Sequence, residues 1–168
     1  MASQPTLSMT VEPSLVRGGA VRRLWERLAH LTNRQDQRRW QSALLTKAAG
    51  ISCTTLVCHR DTWQFIDLFA CGVVGWRSPS DDEISLYSPF LLEIRLSGPQ
   101  LVHIVIAMSD AAGVSLIGET PAGCAADRAI AWRIFAGIAD VIDDVNPAAE
   151  QGNPVPTIMI DDQLAPTP

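Results

Sequence analysis

Long hydrophobic runs are scarce in this 168-residue chain. The longest uncharged apolar stretch, Leu68 to Trp76, spans nine residues and contains two glycines. A bilayer-spanning helix needs about 20 apolar residues. The first twelve residues carry neither a basic n-region nor a long apolar one, so no secretory leader or membrane span is expected and the reading is cytoplasmic. Cysteine is sparse as well, with Cys53, Cys58, Cys71 and Cys124. Cys53 and Cys58 are five apart in an expected strand, which puts them on opposite faces and prevents them from pairing or sharing a metal. Cys58-His59 has no second ligand pair at zinc-finger spacing. Reduced, mostly buried cysteines are expected, with no metal and no cofactor.

Charge is limited to 18% of residues, with a net of −5 and a pI near 5.0, against a generally basic nucleic-acid binder. Catalytic grammar is missing too. Gly113-Val114-Ser115-Leu116-Ile117 fails the last position of a serine-hydrolase elbow. There is no phosphate loop, dinucleotide fingerprint or H-E-x-x-H. His59 with Asp61 reads as a polar turn before it reads as an acid–base pair, and His103 as a hydrogen-bonded structural histidine. The runs Asp81-Asp82-Glu83, Asp143-Asp144 and Asp161-Asp162 lack calcium-loop spacing and read as solvated surface.

What is present is an uneven charge layout. Residues 1–47 hold eight basic side chains against three acidic ones, and the remainder holds five against fifteen. Either the basic segment packs on its own domain, or it offers an exposed face to an anionic partner. Val21, Leu24, Leu28 and Leu31 make one helical stripe, and Thr32 with Gln35 has capping-box spacing for a second helix. That helix would carry Trp40, Leu44, Leu45 and Ala48 to the stop at Gly50. Thr6–Val11, Ile51–Cys58, Thr62–Ala70, Phe90–Ser97, Leu101–Met108 and Val114–Ile117 read as strands. Thr120-Pro121 opens a closing helix through Ile134, Phe135, Ile138 and Ile142 to about Asp144.

The expected fold is therefore α+β. An antiparallel β-meander of five or six strands carries two N-terminal helices and a long C-terminal helix packed on one face. Residues 1–13 form an N-terminal extended segment, 14–144 a single domain, and 145–168 a flexible, Pro-rich acidic tail. This element order, over roughly residues 6–144, is similar to that of the helix-grip proteins, the START and Bet v 1-like group. The resemblance rests on element order and implies a sheet curled around the closing helix.

The leading functional reading is a non-enzymatic interaction protein: an adaptor, regulator or chaperone-like module. Its partner would be another protein or a second copy of itself. Arg22, Arg23, Arg38 and Arg39 would supply a basic face and Trp25 an aromatic anchor. Ile158, Met159 and Ile160 would form a docking strand that adds to a sheet edge. The alternative is a helix-grip-like pocket for an apolar small molecule; nucleic-acid binding through residues 17–47 ranks below it. A large apolar cavity beneath the helix 121–144 would mark the pocket protein. A filled core with an exposed aromatic patch would mark the adaptor.

Overall fold

The computed structural model describes residues 22, 23, 26, 34–114, 124–145 and 157–160. The expected strands Thr6–Val11 and Val114–Ile117, Trp25 and all of the first helical stripe lie wholly or largely outside them, as does Thr120-Pro121. The closing helix was expected to open there, but it starts at Ala125, with Cys124 as its extended N-cap.

Helix α1 spans Arg34–Gly50, with Leu44 and Ala48 buried and Trp40 and Leu45 packed alongside. Strand β1, Thr54–His59, follows, and helix α2, Arg60–Ala70, begins directly from it. A 3₁₀ turn at Asp81–Glu83 leads into the hairpin of β2, Ile84–Leu86, and β3, Leu91–Leu96. Helix α3 covers Gly98–Ala111, α4 covers Ala125–Asp144, and β4, Thr157–Met159, completes the sheet.

The described residues form an α+β fold, but among them there is no antiparallel meander of five or six strands and no helix-grip arrangement. The sheet has four strands in the order β2-β3-β1-β4, and β4 runs parallel to β1. Two expected strands are helices. In Thr62–Ala70 the buried residues Thr62, Trp63, Ile66 and Ala70 follow a helical stripe. In the second, Leu101, Ile104, Val105 and Met108 sit at i, i+3, i+4 and i+7, all buried. Its start is fixed by a capping box: Gln100 Oε1 accepts from the Ser97 N–H at 2.8 Å and from its hydroxyl at 2.7 Å. Pro99 in the first turn lacks an N–H that would be unpaired there in any case. The dipeptide Gly98-Pro99 therefore opens a helix and does not turn a hairpin.

Helix α3 is the hub of the fold, packing against α1, α2 and α4. Gly98 is buried where its N-terminus meets the end of α1. A Cβ there would collide with the carbonyl oxygens of Ile51, Ala49 and Ala48, the last two at 2.7 and 2.9 Å. The core face of the sheet presents Thr54, Leu56 and Cys58 opposite Leu96, Ile94 and Leu92, with Ile158 beside Leu56. Thr55, His59, Glu93 and Arg95 take the alternate positions, as a period of two requires. The β4 strand comes from the stretch whose composition suggested a flexible tail. Its ladder continues with the Ile160 N–H donating to the Val57 carbonyl at 2.9 Å.

Candidate functional site at the hairpin end of the sheet

The end of β1 places His59 at the N-cap of α2, with Arg60 and Asp61 in the first turn. The β2–β3 hairpin folds over this point because β3 pairs antiparallel with β1, setting Leu91 opposite His59 and Leu92 opposite Cys58. Between them lies an open cleft of about 340 Å³, lined by His59, Arg60, Asp61, Leu86, Pro89, Phe90 and Leu92. Its polar wall comes from α2 and its apolar wall from the hairpin.

The hairpin is unusually apolar for an exposed turn. Leu86 is 68% exposed, Tyr87 49% and Phe90 75%. The Tyr87 N–H donates to the Leu91 carbonyl at 3.0 Å, as in a hydrogen-bonded pair, while the Leu91 N–H closes the turn on Ser88. In an antiparallel ladder such pairs alternate, so Ser85 also bonds toward β3 while Ile84 and Leu86 turn their N–H and C=O outward. Since β2 ends the sheet, those groups lie on an edge free of other described strands. The edge residues Ile84 to Tyr87 carry no charge and no proline, the usual devices against edge pairing.

The residues singled out from sequence are distributed differently. Arg23 is held by its own chain: its Nε and Nη2 donate to the two carboxylate oxygens of Asp140 at 3.0 and 2.5 Å. The Asp140 side chain is only 9% exposed, so this bidentate pair is half buried. It raises the Arg23 pKa first through the hydrogen bond and then through the charge of Asp140. Nearby, Trp40 Nε1 donates to Asp143 at 3.3 Å, and Lys47 Nζ donates to the Asp143 carbonyl at 2.8 Å. Part of the basic excess of residues 1–47 thus meets the acidic end of α4. Arg22 pairs with Glu26 on an exposed helical turn. Arg38 and Arg39 are exposed on α1, and nothing brings them to the cleft. Ile158 and Ile160 are buried and Met159 half-buried at the opposite edge of the sheet.

None of the four cysteines is in a disulfide; Cys58 is buried and Cys53 half-buried, whereas Cys71 and Cys124 are exposed. Among the described residues no group of three His, Cys, Asp or Glu side chains is placed to hold a metal, and no helix is long and apolar enough to cross a membrane. His103 packs edge-on against Trp76, whose indole N–H donates to Asp67 at 3.0 Å. The core beneath α4 is filled, with Ile134, Phe135, Ile138 and Ile142 inaccessible. Sequence reasoning missed Arg60, Leu86 and Phe90. The available signal was Leu86-Tyr87-Ser88-Pro89-Phe90, a turn region bearing three large apolar side chains where polar residues are usual. No family model, curated protein or solved structure matches this chain.

Proposed function

We propose that this protein is a non-enzymatic interaction module that binds an extended polypeptide segment along the free edge of β2. The carrying observation is the coincidence of three features: outward main-chain groups at Ile84 and Leu86, exposed Leu86, Tyr87 and Phe90, and the adjoining cleft. Strand addition gains affinity from main-chain hydrogen bonds and selectivity from pockets that take alternate side chains. Leu86 lines the cleft, so a guest strand beside β2 directs every second side chain toward it. An apolar guest side chain meets Leu86, Pro89 and Phe90, while a polar atom on it reaches His59, Arg60 or Asp61. The filled core under α4 supports this reading over a buried small-molecule pocket.

A displayed library of short unstructured peptides tests the proposal. The full chain is expected to enrich sequences of alternating apolar residues, and Leu86→Pro is expected to lose them. At that edge position proline removes only an outward N–H, so the hairpin's own ladder is spared. Enrichment that Leu86→Pro leaves unchanged, or no enrichment at all, rejects the proposal.

A further inference from the structure

We infer that the strand taken up by this edge is supplied by a second copy of the same chain, two β2 strands pairing antiparallel about a two-fold axis through Ser85. The inference rests on the strand-addition reading above and names its partner. Identical strands brought together by a two-fold axis are necessarily antiparallel, and an isologous contact requires the surface to complement itself. Here it does. Centring the register on Ser85 sets Ile84 opposite the second copy's Leu86, the very residues whose N–H and C=O point outward. Each such pair exchanges both main-chain hydrogen bonds. Directly opposed residues share a face, so Ile84 and Leu86 of both copies form one apolar row continuous with the core face of each sheet. That row covers the exposed Leu86 side chain.

The charges fit the same symmetry. The acidic turn Asp81–Glu83 precedes β2, and at its other end Arg60 lines the cleft together with Leu86 and Phe90. The two-fold axis therefore carries Asp82 of one copy to the Ser88–Phe90 tip of the other, beside Arg60. The acidic turns themselves are kept apart. Asp61 shares the cleft with Arg60, so this contact sets orientation while the apolar row supplies the attraction. Because β2 has only three residues, the dimer is reversible.

Sedimentation of the full chain from micromolar to millimolar concentration tests the inference. A monomer–dimer equilibrium is expected, weakened about tenfold or more by Leu86→Lys and by Arg60→Glu. Combining Arg60→Glu with Asp82→Arg in one chain is expected to restore it. Because Leu86 and Arg60 are exposed, unchanged thermal unfolding of the dilute variants will show that the fold is intact. A chain that stays monomeric at millimolar concentration overturns the inference, as does a dimer indifferent to Leu86→Lys. If the monomer still captures edge-binding peptides, only the choice of partner fails; if it captures none, the strand-addition reading fails with it.

Discussion

Gly98 separates two physical effects that a substitution sets against each other. Replacing glycine by alanine within a helix reduces the freedom of the unfolded chain, which stabilises a protein by about 0.4–1 kcal/mol where the native geometry accepts the methyl group. At Gly98 it does not. The added Cβ would lie under 3 Å from the carbonyl oxygens of Ala48, Ala49 and Ile51. These are backbone atoms at the end of α1, so no rotamer change clears the overlap. Either α1 or α3 must shift, and α3 is packed against α1, α2 and α4. Overpacking of a tight interior costs about 1–3 kcal/mol, which exceeds the entropic gain. Gly98→Ala is therefore expected to destabilise the protein on balance. In a chain of this size each kcal/mol lowers the thermal midpoint by about 2–4 °C. Urea unfolding with an unchanged m-value is the assay, since a lower midpoint at constant slope reports stability alone. A neutral or stabilised Gly98→Ala would show that α1 and α3 do not meet as described.

Other expectations follow from the packing. Arg23→Ala should destabilise by about 1–3 kcal/mol, because the poorly exposed Asp140 carboxylate loses its charged donor. In a double-mutant cycle with Asp140→Ala the losses should be non-additive. Additive losses would place Arg23 elsewhere. Ile158→Ala should cost about 2–5 kcal/mol, since Ile158 is inaccessible within the sheet. A negligible change by urea unfolding would mean that β4 is not part of the cooperative unit. At the start of α4, the Cys124 N–H donates to Asp127 at 2.9 Å, and that bond, with help from the Cys124 side chain, holds the Asp127 carboxyl below its ordinary pKa. A depressed folded-state pKa gives stability that is present above the unfolded value and lost as pH falls through the folded one. Asp127→Asn should accordingly flatten the acid limb of the stability profile; an unchanged limb contradicts the cap.

The elements legible in the sequence are those whose period is unambiguous. The face of α1 through Leu44 and Ala48, the alternation of Leu92, Ile94 and Leu96 in β3, and the stripe of α4 through Ile134 and Ile138 all project as their spacing requires. Helix α3 was obscured because nearly every position is apolar: Leu101-Val102-His103-Ile104-Val105-Ile106-Ala107-Met108 reads equally as a buried strand. In α2 the helical stripe of Thr62, Trp63, Ile66 and Ala70 was there to read, but the aromatic and β-branched residues between its polar ones suggested a strand. For α3, Ser97 and Gln100 carried the deciding signal, a capping box that the neighbouring Gly-Pro masked. The β4 strand overlaps the run Ile158-Met159-Ile160 read as a docking strand, but its edge is β1 of the same chain, a partner too distant in sequence to be named locally. The cleft could not be read locally. His59 and Asp61 are visible as a polar turn, but their apolar opposite wall comes from Leu86 and Phe90, brought there by the β1–β3 register.

The central claim is that the β2 edge is a strand acceptor, and amide hydrogen exchange at four consecutive residues tests it most directly. In dilute protein the Ile84 and Leu86 amides should exchange freely, while those of Ser85 and Tyr87, bonded toward β3, should be protected. At high concentration, or with a selected peptide bound, protection should appear at Ile84 and Leu86 and leave the other two unchanged. Exchange at Ile84 and Leu86 that stays fast under both conditions would contradict the account.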